Sequence, residues 1–156
     1  MQLNIDGWKQ HLCFSAAHFI PNHQQCSLLH GHTYVVSCQI EGSINPESNM
    51  ILDFTELKNN LRTLINTLDH HILIPEQLTS LNQDDSTIHF KVGKKSYTFP
   101  KEDCVFLPIP STTAEHLATY LLQKLIQLLS STTNIQRIHI RIDEGLGQSA
   151  TAEQQL

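Results

Sequence analysis

The stretch HGHTYVVSCQIE at residues 30–41 leaves the backbone little choice. It is rich in β-branched and aromatic residues and its side chains alternate, so it reads as a strand of period two. His30, His32, Tyr34, Val36, Cys38 and Ile40 then share one face. Two imidazoles on one side of a strand, with Cys26 a few residues upstream, raise the question of what they hold.

Periodicity sets the neighbouring elements. Residues 8–20, WKQHLCFSAAHFI, are predicted to form a first strand with Leu12, Phe14, Ala16 and His18 on one face. Residues 21–29, PNHQQCSLL, open with Pro-Asn and read as a loop. After the turn-rich GSINPESN, residues 53–69 place Phe54, Leu57, Leu61, Leu64, Ile65 and Leu68 at helical spacing behind an Asp53 N-cap. LDHHILIP ends that helix, and Pro75 prevents its continuation. Residues 76–109 contain a hairpin, TIHFKVGKKSYTF, in an excursion too short to bury a core of its own.

Residues 112–130 are predicted as a second helix, with Thr112 as N-cap and Glu115 completing a capping box. Leu117, Leu121, Leu125 and Leu128 form its apolar stripe. Residues 135–144 alternate Ile138, Ile140 and Ile142 against Arg137, His139 and Arg141, and a short last strand follows Gly147. The class is α+β with an antiparallel sheet, in one domain over residues 1–156.

Composition narrows the partners. A net charge of −5 gives no pull toward nucleic acid or an anionic membrane. No apolar run is long enough to cross a bilayer. MQLNIDGWKQ lacks the basic-then-apolar order of a signal peptide. The four cysteines form no CxxC pair and read as reduced thiols, which points to the cytoplasm.

Several residues can carry chemistry. His30 and His32 project to the same side and can reach one metal ion, and His18 on the preceding strand is the natural third ligand. Zinc suits such a set, since a catalytic zinc takes three protein ligands and keeps a position open. Cys26 can close the site as a fourth ligand, lie inert, or act as a thiolate beside the metal. Asp69 and His70 can pair only if the helix end is distorted; otherwise His70 complements the helix dipole. Glu144 shares parity with the three isoleucines, so it points toward the apolar face unless the strand stops before it. There it needs a bidentate donor such as the guanidine-like edge of a pterin or guanine.

Together these stretches resemble the 6-pyruvoyl-tetrahydropterin synthase / 6-carboxy-tetrahydropterin synthase family. The resemblance runs through FSAAH (residues 14–18), CSLLHGHTY (26–34), MILDFTELK (50–58), LDHHIL (68–73), PSTTAEHLA (110–118) and the strand ending at Glu144. It implies a tunnelling fold: a four-stranded antiparallel sheet with two helices on one face, assembled as a hexamer of two trimers. It implies Zn2+ on His18, His30 and His32, with Cys26 as proton-abstracting thiolate and Asp69 with His70 as its partner dyad. Glu144 would anchor the pterin ring, with Glu115 nearby. The 76–109 excursion is longer than in compact bacterial members and resembles archaeal ones. Glu144 is followed by Gly145, where many members have threonine.

The activity so implied is that of a zinc lyase on 7,8-dihydroneopterin triphosphate. Cleavage of the side chain gives 6-carboxy-tetrahydropterin on the route to 7-deazaguanine bases. Retention of the side chain gives 6-pyruvoyl-tetrahydropterin. The rival from another class is a non-catalytic domain in which Cys26 and the three histidines close a structural zinc site.

Overall fold

The computed structural model describes residues 1–76, 78, 82–84 and 86–156. Its axis is β3 (His30–Gly42), the strand that the HGHTYVVSCQIE alternation predicts. Along one edge β3 pairs antiparallel with β9 (Ile135–Glu144), and β9 pairs with β10 (Ser149–Gln155). Along its other edge β3 pairs with β2 (Cys13–His18) and further on with β1 (Gln2–Ile5). β2 then pairs in parallel with β4 (His71–Pro75), and β4 in parallel with β8 (Cys104–Leu107).

The sheet is therefore seven-stranded and mixed, where four antiparallel strands were expected. The two parallel additions, HILIP and CVFL, are short apolar runs without alternation. Periodicity does not separate such a run from the frayed end of a helix, which is why LDHHILIP reads as a helix terminus in the sequence.

Residues 8–20 do not form one strand. Asp6 accepts from the Lys9 N–H and starts a one-turn helix, α1 (Gly7–Gln10), which the left-handed His11 closes. A Cβ on Gly7 would lie 2.3 Å from the Val36 carbonyl oxygen, so only glycine lets this turn sit against β3.

The second helix, α2 (Phe54–Asn66), begins on the expected Asp53 cap, whose carboxylate accepts from the Thr55 and Glu56 N–H groups. It ends three residues short of the predicted boundary. The third, α3 (Ala114–Leu128), is capped by Thr113 and not by Thr112, and the expected capping box does not form. Thr112 is fully buried and gives its hydroxyl to the Phe19 carbonyl instead.

Both long helices cover the same face of the sheet. Leu57, Leu61 and Ile65 of α2 and Leu117, Leu121 and Leu125 of α3 meet Val36, Cys38 and Ile40 of β3 and Ile138, Ile140 and Ile142 of β9 in one core. Truncating any of the buried leucines to alanine costs about 2–5 kcal/mol through lost contacts and the cavity left behind. No helix among the described residues is long and apolar enough to cross a membrane.

The excursion holds the expected hairpin: β6 (Thr87–Val92) and β7 (Lys95–Pro100) joined through Gly93 at φ +60°, with β5 (Asn82–Gln83) alongside β6. Residues 77, 79–81 and 85 of the excursion lie outside the described residues. Ile88, Phe90 and Val92 pack on Phe19, Ile74 and Cys104 as a second core. The hairpin thus completes its apolar contacts with the residue that follows β2 and with the two parallel strands.

Candidate metal centre and adjoining clefts

The β2–β3 register places His18 opposite His30 and Ala16 opposite His32. Side chains so paired project together, so two short strands bring three imidazoles to one point. Their ring centroids are 4.5 Å (His18–His30), 5.2 Å (His18–His32) and 5.0 Å (His30–His32) apart. One nitrogen from each lies within 4.8 Å of the others.

Second partners fix the tautomers of two rings. The His18 Nδ1–H donates to the Thr112 carbonyl at 2.8 Å, and the His30 Nδ1–H donates to the Leu28 carbonyl at 2.7 Å. Each ring then presents a bare Nε2 lone pair, and these two atoms face one another at 3.1 Å. Two lone pairs at that distance repel unless a cation lies between them. Burial pushes His18 down to about 4, so its own Nε2 carries no proton at physiological pH. A divalent metal fits. Nitrogens bound at about 2.0–2.1 Å in tetrahedral geometry stand about 3.3 Å apart, and carbonyl-held imidazoles are what such sites use. The donor set of three neutral imidazoles suits Zn2+.

Among the described residues the cluster contains these three histidines and no fourth ligand, so Cys26 is not a member. Cys26 sits half-buried in the loop before β3. Its carbonyl accepts from the Ile20 N–H at 2.7 Å and its own N–H donates to His23 Nδ1 at 3.1 Å. The loop backbone is pinned at that point while the thiol makes no hydrogen bond among the described residues.

Asp69 and His70 do pair, with Oδ2 and Nδ1 2.9 Å apart. The distortion that this needs is present. α2 stops at Asn66, and His70 adopts φ +60°. His70 is therefore not a last-turn histidine on the helix dipole. Burial pushes Asp69 up, but the Ser15 N–H, donating at 2.8 Å, and the His70 ring outweigh it and hold the carboxyl below its ordinary value. The His70 side chain is 82% exposed and lines a shallow cleft with Ser15, Gly31, His32 and Thr33.

Glu144 and Glu115 line a second cleft of about 310 Å3 with Ile20, Thr113, Ala114 and Gln148. β9 runs through Glu144, so strand parity holds to its last residue. Glu144 lies opposite Tyr34 on β3, and its buried Oε1 meets no hydrogen-bonding group among the described residues besides the Tyr34 hydroxyl. Glu115 is held below its ordinary value by its own backbone N–H and then by the Thr113 hydroxyl.

The structure thus gathers His18, His30 and His32 at one point, pairs Asp69 with His70, and puts Glu144 beside Glu115. Sequence reasoning missed Thr112 and the buried Tyr34 hydroxyl. The signal for Tyr34 was its parity with His30 and His32. Thr112 gave none, because its partner His18 is 94 positions away.

Known proteins resemble this chain over most of its length. The model of the family described as PTPS, 6-pyruvoyl tetrahydropterin synthase, matches residues 8–155. A Methanocaldococcus jannaschii protein provisionally named 6-carboxy-5,6,7,8-tetrahydropterin synthase is 35% identical over 154 residues, covering 96% of this chain and 94% of the relative. The 6-carboxy-5,6,7,8-tetrahydropterin synthase of Haemophilus influenzae is 28% identical over 72% of this chain and 76% of its own length. A solved structure of Plasmodium vivax 6-pyruvoyltetrahydropterin synthase, a catalytic-residue mutant, superposes with a TM-score of 0.89 at 28% identity, over 100% of this chain and 98% of that one. With the family model matched from the first helical turn to the last strand, the chain belongs to the 6-pyruvoyl tetrahydropterin synthase family.

Proposed function

We propose that this protein is a zinc-dependent 6-carboxy-5,6,7,8-tetrahydropterin synthase. It takes 7,8-dihydroneopterin triphosphate and water to 6-carboxy-tetrahydropterin, acetaldehyde and triphosphate, as a step toward 7-deazaguanine bases. The observation that carries the reading is the pair of carbonyl-fixed imidazoles whose bare Nε2 atoms meet at 3.1 Å, with His32 beside them.

His18, His30 and His32 hold the metal. When bound, Zn2+ polarises the side-chain hydroxyls of the substrate and acidifies the neighbouring C–H bonds. Glu144 accepts the N–H edge of the pterin with its carboxylate, and Glu115 lies on the same cleft. Cys26 removes the proton as a thiolate. His70, oriented by Asp69, supplies or accepts one at its Nε2. The open exposure of His70 suits action across a subunit boundary, and the working form is a homohexamer of two trimers.

A second reading keeps the substrate side chain intact and makes 6-pyruvoyl-tetrahydropterin. The Plasmodium vivax likeness favours it, while the relatives named for the carboxy product favour the first. The structural-zinc alternative loses ground because Cys26 does not join the histidine cluster.

The test is mass spectrometry of the products formed by zinc-loaded protein from 7,8-dihydroneopterin triphosphate. The proposal expects 6-carboxy-tetrahydropterin with acetaldehyde. Pyruvoyl-tetrahydropterin moves the protein to the second reading. Absence of turnover with zinc bound defeats both.

A further inference from the structure

The second core formed by the hairpin ends on Phe19, the residue that follows His18. Phe19 is fully buried, and its ring stacks on Phe90 at 5.2 Å and lies nearly parallel to Tyr97 at 6.1 Å. Its carbonyl accepts the Thr112 hydroxyl at 3.2 Å. The Thr112 carbonyl in turn takes the His18 Nδ1–H at 2.8 Å. One fully buried residue at the entrance to α3 therefore grips two consecutive residues at the end of β2, one through its side chain and one through its backbone.

This arrangement does more than cap a helix. The α3 cap is the next residue, Thr113, so Thr112 is not needed for that role. A ring nitrogen held by a carbonyl is only as well placed as the carbonyl. The Thr112 carbonyl belongs to a loop, and loops move unless tied. The Thr112 hydroxyl supplies the tie. It anchors the loop to Phe19, whose ring packs against the aromatic rings of the hairpin.

We propose that Thr112 is a positioning residue of the histidine centre: its hydroxyl bond to the Phe19 carbonyl fixes its own carbonyl as the acceptor that orients His18. The inference rests on the reading of His18, His30 and His32 as a metal site. It assigns the excursion a part in that site, since the hairpin packs on the Phe19 ring while Thr112 holds the Phe19 carbonyl. Outer partners of metal-bound imidazoles typically change affinity by about 10–100-fold when removed. Loss of the hydroxyl leaves the carbonyl in place but free to shift, so the lower end, about tenfold, is expected.

Thr112→Val keeps the shape and deletes the hydroxyl, and Thr112→Ser keeps the hydroxyl. Ile138→Val trims the main core away from the cluster and controls for general loosening. The measurement is cobalt affinity, read from visible absorption on titration of metal-free protein, with zinc competition and urea unfolding alongside. Thr112→Val is expected to bind cobalt about tenfold more weakly with an altered spectrum. Thr112→Ser is expected to bind like the parent protein, and Ile138→Val is expected to leave affinity unchanged.

Parent-like affinity in Thr112→Val overturns the proposal. So does a Thr112→Ser variant that folds yet binds cobalt about tenfold more weakly than the parent, a result that stands even if valine prevents folding. A parent protein that takes up neither cobalt nor zinc defeats the metal-centre reading itself, and this inference with it. That outcome differs from equal affinities across the series.

Discussion

Tyr34 and Glu144 stand opposite one another on β3 and β9, and the buried Tyr34 hydroxyl and buried Glu144 Oε1 interact with each other and with no other hydrogen-bonding group among the described residues. Burial first and the Glu144 charge second push the Tyr34 phenol up, so it stays protonated at physiological pH. Its ring also meets His32 and His18 edge-on, at 5.5 and 5.9 Å. Tyr34 thus separates the histidine cluster from the cleft that holds Glu144 and Glu115. Buried polar atoms left unpaired are costly, and a ligand that supplies donors to Glu144 removes part of that cost.

Glu144→Ala is therefore expected to raise KM for the pterin substrate by at least about tenfold, since it deletes a charge-assisted bond. The value of kcat should change less. Steady-state kinetics decide the matter, and an unchanged KM would return Glu144 to a purely structural place at the end of β9.

His30→Ala removes one of the two carbonyl-fixed imidazoles. Two ligands do not hold zinc as three do, so metal content and activity should fall together. Elemental analysis of purified protein is the check. Normal zinc content in this variant would show that the cluster is not the binding site.

Cys26→Ala separates a reacting thiol from a ligand. With Cys26 outside the histidine cluster, bound zinc should stay at the parent level while turnover falls by about 100-fold or more. Loss of zinc together with stability would instead make Cys26 a ligand and favour the structural-site reading.

Alkylation should sort the cysteines. Burial pushes Cys38 up to about 12, and burial with a smaller push from Asp103 raises Cys104 to about 11. Both are protonated thiols at about pH 8 and lie under packed strands, so they should resist iodoacetamide in the folded protein. Cys13 is exposed and Cys26 half-exposed, and these two should label. Peptide mapping after brief labelling reads the result. Early modification of Cys38 would contradict the core described for β3.

Asp84 governs the start of the hairpin and gives an acid-range test. The Thr87 hydroxyl first, then the Ser86 and Thr87 N–H groups, hold its carboxyl far below the usual range. The unfolded chain has the ordinary value near ~3.9 and so binds more protons as pH falls below it. The contribution of this network is fully present above ~4 and is lost as pH drops through the lower folded value. Carboxyl-carbon NMR should find Asp84 still ionised near about pH 3, where most exposed carboxylates have begun to protonate. Titration with the bulk of the acids would show that the network is not maintained in solution.

The sequence by itself determined the elements whose pattern is local and strong. The alternation over residues 30–41 fixed β3 and put His30, His32 and Tyr34 on one side. The stripes over α2 and α3 gave the helices and most of the face they cover, although Phe54 and Leu128 of those stripes are exposed, and Asp53 marked the start of α2. Strand parity also carried Glu144 to the core side, because parity needs no knowledge of the partner.

Tertiary structure alone decided the rest. HILIP becomes a parallel strand because β2 offers it an edge and CVFL because HILIP then offers the next one, and parallel pairing is a non-local event. Gly7 turns a predicted strand into a helical turn because β3 passes too close for a side chain. Asp69 and His70 meet because the backbone turns through a left-handed residue that propensity does not reveal. Thr112 leaves the expected cap for Phe19 and His18, since a buried hydroxyl and a buried ring nitrogen each require a partner, and only folding brings theirs within reach.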